Sequence, residues 1–77
     1  MILRFNKANS ILDVKGQIQI AEHEDHAIAI TIPIDSSFSL MGDPLTLKQV
    51  QAIYPCCITR LNGQKYLKIK DIYDIEF

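Results

Sequence analysis

Seventy-seven residues with a formal net charge of −1 leave room for one small domain, taken here as 1–77, and no global field to steer it to nucleic acid or membrane. The only cysteines, Cys56 and Cys57, are adjacent and cannot staple distant segments, so the core must come from apolar burial or self-association. Free thiols fit a reducing, cytoplasmic compartment, MILRFNKANS lacks the apolar run of a signal peptide, and no apolar run of about twenty residues exists to cross a membrane.

Thirteen of the residues are isoleucine, and β-branched side chains favour strands. Met1 to Phe5 reads as a short first strand, and Lys7 to Ser10 as a polar turn. Ile11 to Ile20 reads as a strand with Leu12, Val14, Ile18 and Ile20 on one face. Gly16 sits on that face, marking a bulge or a close backbone approach.

Gln17 to Ile34 organises the first half. Ile18 and Ile20 alternate before the polar knot Glu22 to His26, and Ile28, Ile30, Ile32 and Ile34 alternate after it. Parity then predicts a three-residue loop, His23-Glu24-Asp25. It sets Ile20 opposite Ile28, Ile18 opposite Ile30 and Val14 opposite Ile34, which keeps every isoleucine on the core face. The other face carries Gln17, Gln19, Ala21, Ala27, Ala29 and Thr31, small and polar side chains suited to solvent or a thinly packed partner.

Asp35 to Asp43 reads as a connector from which Phe38 and Leu40 dip into the core. A helix over 46–54 follows, with a Thr46/Gln49 capping box and an apolar stripe of Leu47, Val50, Ile53 and Tyr54. Pro55 ends it. Asn62-Gly63 predicts a type I′ turn, which places Ile58 opposite Leu67 and Cys56 opposite Ile69. Ile72 and Ile75, three apart after Asp71, predict a final helical turn, with a short strand as the alternative.

The expected fold is therefore α+β: a small antiparallel sheet of two β-hairpins (14–34 and 56–70) with one short α-helix (46–54) on the Ile-rich face.

Three constellations bear on function. Glu22-His23-Glu24-Asp25-His26 joins imidazoles to carboxylates, and His23 and His26 are the candidate metal ligands. One loop is a poor source of a full ligand set, so a solvated cap or an acidic contact is the preferred reading and no metal or cofactor is expected. Cys57 has no nearby base, so a nucleophile is not expected. From Pro44 to Lys70 there are five basic residues and no acidic one: Lys48, Arg60, Lys65, Lys68 and Lys70. With Tyr66, Lys68 and Lys70 on the outer face of the second hairpin, this is a pattern that grips phosphates.

LTLKQVQAIY followed by NGQKYLKIKDIYDI resembles the opening helix and wing of a winged-helix excisionase, which would imply DNA binding. No recognition helix fits between Tyr54 and Ile58. DVKGQIQI is similar to the opening strand of swapped-hairpin antitoxins that bind DNA as dimers, but their Ile-Pro and helix do not follow. Neither match supports a family assignment.

The functional expectation is a non-enzymatic protein-binding module, such as an inhibitor, immunity or adaptor protein of the kind phage and mobile elements encode. The partner surface would draw on Glu22, Glu24 and Asp25 in the acidic loop and on Arg60, Leu61, Tyr66, Lys68, Lys70 and Tyr73 around the second hairpin. The alternative is a small nucleic-acid-binding regulator using the basic hairpin. A homodimer stays open, and no membrane partner is expected.

Overall fold

The computed structural model describes residues 1–7 and 10–77. The turn expected over Lys7 to Ser10 lies partly outside them. Among the described residues, eight antiparallel strands and one short helix make a sheet-rich α+β fold: β1 (Ile2–Phe5), β2 (Ile11–Lys15), β3 (Ile20–Glu24), β4 (Ala27–Pro33), β5 (Ser37–Leu40), β6 (Asp43–Leu45), α1 (Leu47–Ile53), β7 (Cys56–Leu61) and β8 (Gln64–Glu76). The sheet runs β3-β4-β8-β1-β2-β5-β6, and β7 pairs with β8.

The thirteen-residue β8 is the strand the rest are built on. One side of it holds β4, and the other holds β7 along its first half and β1 along its second. Two irregularities let it serve three partners. Lys70 and Asp71 together stand against the single Ala29, and Tyr73 has no counterpart between Arg4 and Phe5. An extra residue on one strand bends it and shifts its face by one position. Asp71 takes up the first bend with a left-handed backbone (φ 62°), steadied where Asn6 Nδ2 donates to Asp71 Oδ1 at 3.1 Å. Ile69, Ile72 and Ile75 thus all face the core from an extended chain. Their three-residue spacing, read from sequence as a final helical turn, is two strand steps plus one bulged residue. The tail is strand.

The first predicted hairpin, 14–34, is not a hairpin. β2 pairs with β1 and β5, so Val14 lies opposite Phe38 rather than Ile34. β3 does pair with β4, but the loop is the two residues Asp25-His26, which places Ile20 opposite Thr31 and His23 opposite Ile28. This register differs from the expected one by an odd number, so Ile20 changes face and stands 38% exposed. Leu12, Val14, Ile30 and Ile32 are buried as expected, with Ile18, Ile28 and Ile34 half-buried against them. Asp35 to Asp43 is not a plain connector: it contains β5 and the start of β6, and Phe38 is buried.

Three hairpin turns share one geometry. Asp25-His26, Met41-Gly42 and Asn62-Gly63 are two-residue loops with both central φ angles positive, as a type I′ turn requires. Only the last carries the Asn-Gly signature. His26, at φ 68°, holds a left-handed conformation that costs a side-chain-bearing residue about 1–2 kcal/mol. Replacing it with glycine is expected to raise stability by about 1 kcal/mol after the entropy of a freer unfolded chain is subtracted. A higher denaturant midpoint with unchanged slope would show this; a lower midpoint would mean that the imidazole is itself stabilising.

The second hairpin keeps its predicted register, with Cys56 opposite Ile69 and Ile58 opposite Leu67. Helix α1 has its capping box: Thr46 Oγ1 accepts from the Gln49 N–H at 3.2 Å, and Gln49 Oε1 accepts from the Thr46 N–H at 2.8 Å. Val50 and Tyr54 are buried in the strand core, and Leu47 is half-buried. Ile53 departs from the predicted stripe and stands 52% exposed. Gly16 is the predicted close approach, since a Cβ there would collide with the Ser36 side chain.

Among the described residues no helix is long and apolar enough to cross a membrane.

Candidate partner-binding surface

The helix lies against β7 and sends Val50 into the core face of the sheet, with Tyr54 following at its C-terminal cap. The opposite face of β3, β4, β8 and β7 carries most of the residues singled out in the sequence. Cross-strand pairing places Ile20, Thr31, Lys68 and Cys57 in one row, and Pro33, Tyr66 and Thr59 in the next. Glu22 stands opposite Ala29 and Glu24 opposite Ala27. Two patches that are separate in sequence, the acidic knot and the basic hairpin, therefore meet on either side of β4.

They are joined by an ion pair. Lys68 Nζ lies 3.2 Å from Glu22 Oε2 and donates to it across β4. The hydrogen bond and charge of Glu22 raise the Lys68 pKa above the ordinary lysine value, and Glu24 adds to this. The bridge is possible because β4 presents only Ala27, Ala29 and Thr31 here, side chains too short to stand between the flanking strands.

The same shortness leaves a groove of about 180 Å³ beside the bridge, lined by Glu24, Ala27, Ile28, Ala29, Lys68, Lys70 and Asp71. Alanines form its floor, Glu24 stands on the β3 side, and Lys68 and Lys70 stand on the β8 side. The sequence signal for it was the small-residue alternation at 27, 29 and 31, read above only as a thin face. Ile20, displaced onto this face by the register, was not anticipated.

The remaining predicted contact residues are dispersed. Arg60 and Lys65 face each other near the Asn62-Gly63 turn, on the Ile58 and Leu67 side of the hairpin, so they lie on the opposite face from Lys68. Leu61, half-buried, lies on the Lys68 side but at the hairpin's far end, opposite Gln64. Asp25 is in the β3–β4 turn, and Tyr73 is exposed at the second bulge of β8. The five basic residues thus form no continuous stripe.

His23 lies on the strand face away from Glu22 and Glu24, and His26 is in the turn. Among the described residues no group of three His, Cys, Asp or Glu side chains is placed to hold a metal ion. Both cysteines are free; burial, and then the charge of Cys57, push the Cys56 thiol pKa up, away from the reactive thiolate.

No protein-family model, curated protein sequence or solved structure matches the chain.

Proposed function

We propose that this protein is a small non-enzymatic binding module that masks the surface of a partner protein in the cytoplasm, in the manner of an inhibitor, immunity protein or adaptor. The observation that carries this reading is the mixed-charge face of β3, β4 and β8. Glu24, Lys68 and Lys70 line the groove over Ala27 and Ala29, the Glu22–Lys68 bridge lies beside it, and Ile20 and Tyr66 stand partly exposed farther along the same face. Alternating charge around apolar and aromatic surface suits recognition of a folded protein. Nucleic acid would need uncompensated cations along one track. Here Lys68 is already neutralised by Glu22, and Arg60 and Lys65 lie on the other face, which weighs against the regulator reading.

The test is a charge swap. Glu22→Lys combined with Lys68→Glu keeps the pair but inverts its direction, so folding stability is expected to stay within about 1 kcal/mol of the parent. Affinity capture of a dominant host protein by the tagged chain is expected to fall at least about tenfold for the swapped variant. Undiminished capture by that variant, or recovery of nucleic acid alone by the parent, would sink the proposal.

A further inference from the structure

We infer that the free edge of β7 is the contact of a two-fold symmetric dimer, in which β7 of a second copy of this chain pairs antiparallel with it about Ile58. The inference goes beyond the partner-masking reading above and does not depend on it.

β7 pairs with β8 alone among the described strands. The Lys70 N–H donates to the Pro55 carbonyl oxygen at 2.8 Å, which puts the odd-numbered residues of β7 in the hydrogen-bonded pairs with β8. The N–H and C=O groups of Ile58 and Arg60 therefore point away from β8, and among the described residues they have no backbone partner. Such an edge is a template for another strand. The two ends of the sheet are blunted against the same use. β6 has three residues, and its outward-facing middle one is Pro44, which has no N–H to donate. β3 pairs all five of its residues with a second β3 only when Glu22 stands opposite Glu22, a contact of like charges. β7 carries neither an acidic residue nor a proline. Beside its free edge Ile58 is 40% exposed, and Ile53, on the helix that lies against β7, is 52% exposed.

Charge selects a second copy as the occupant and also sets the register. The only charged residue of β7 is Arg60, near its end. Pairing about Ile58 sets Ile58 opposite Ile58, Cys57 opposite Thr59 and Arg60 opposite Cys56 of the second copy. The two guanidinium-bearing residues are then about 13 Å apart along the strands, beyond the screening length at physiological salt. Pairing about Thr59 would bring them within about 7 Å, and pairing about Cys57 would leave Arg60 and Leu61 without strand counterparts. The axis stands perpendicular to the sheet, so the Lys68 faces of both copies look the same way. A contact built on six-residue strands is small, so the dimer exchanges with monomer.

Sedimentation velocity of the full chain under reducing conditions, from roughly 1 μM to 1 mM, is expected to show monomer passing to dimer and nothing larger. Ile58→Lys places two ammonium groups face to face on the axis and is expected to weaken the dimer at least about tenfold. Ile58 lies outside the buried core, so the variant retains the fold, and an unchanged circular dichroism spectrum verifies that. Thr59→Cys sets a thiol opposite Cys57 of the second copy, in the pair where the strands come closest. Mild oxidation is expected to cross-link this variant at least about tenfold faster than the parent, whose own Cys57 thiols are offset by two residues. A monomer at every concentration, growth beyond a dimer by β3 of one copy docking on β7 of the next, a dimer indifferent to Ile58→Lys, or equal cross-linking of parent and Thr59→Cys would each overturn the inference. The measurements use no other protein, so their outcome stands apart from that of the capture experiment.

Discussion

Ile72→Ala is expected to remove a large share of this protein's stability. Ile72 is fully buried where three strands meet, opposite Ile28 of β4 and opposite Phe5 of β1. Cutting an isoleucine back to alanine in a closed core costs about 2–5 kcal/mol through lost transfer energy and the cavity left behind. The upper part of that range applies here, because bulges on both sides of Ile72 fix its backbone and limit collapse into the void. A chain of 77 residues has about 4–12 kcal/mol in all. Thermal unfolding should move down by more than about 12 °C. A drop under about 4 °C would show that the junction repacks freely and is not the point on which the sheet depends.

The second large effect is expected at Tyr54, which fastens the helix to the sheet. Its ring lies 5.1 Å from that of Phe5, and its hydroxyl donates to the Ile11 carbonyl oxygen at 2.7 Å. Tyr54→Ala removes both and should cost about 3–5 kcal/mol. Tyr54→Phe keeps the ring and isolates the hydrogen bond, for about 1–2 kcal/mol, since the carbonyl loses its partner in a part-buried place. Chemical denaturation of the two variants separates these contributions. A Tyr54→Phe variant as stable as the parent would mean that water replaces the hydroxyl at no cost.

Tyr54 also gives stability a pH dependence. Burial raises its pKa above the ordinary tyrosine value. The folded state thus holds the phenolic proton more tightly than the unfolded chain does. The contribution is complete below the unfolded value and is lost as pH rises through the folded one. Alkaline solutions should therefore destabilise the parent more steeply than Tyr54→Phe. The raised thiol of Cys56 acts in the same direction in both proteins.

How much of this was legible in the sequence depends on the range over which each element is determined. The Thr46/Gln49 cap and the Asn62-Gly63 hairpin are specified by side chains within a few residues of one another, and both have the expected geometry. The first half failed for a physical reason. Alternating isoleucines say which face of a strand is buried, but not which strand lies beside it. Val14 and Ile34 both serve the core, as predicted, yet Val14 reaches it from β2 and Ile34 from the turn after β4, and β2 and β4 are not neighbours. The turn misled as well, because Asp25-His26 adopts a type I′ shape without the glycine that would advertise it. In the tail, bulges turned a strand's period of two into an apparent period of three.

The candidate surface was half legible for the same reason. Glu22, Glu24, Lys68 and Lys70 were each identified, but as two patches, because nothing local says that β4 lies between β3 and β8. The groove needed that adjacency together with the shortness of Ala27 and Ala29. The basic stripe was overcounted, since Arg60 and Lys65 share a chain segment with Lys68 but not a face.

The position of β8 also sets the order of assembly. It binds β1, whose residues lie about seventy positions away, as the Arg4–Asp74 contact illustrates. It also binds β4, some forty away, as the Ile30–Ile69 pair shows. Until β8 is laid down, β3-β4 and β1-β2-β5-β6 are two small sheets with no shared strand. Closing loops of that length before any reward is gained gives a high contact order and a late, cooperative folding barrier. Both half-sheets meanwhile present unpaired edges to neighbouring chains, so the interval before β8 docks is when this protein is most prone to aggregate.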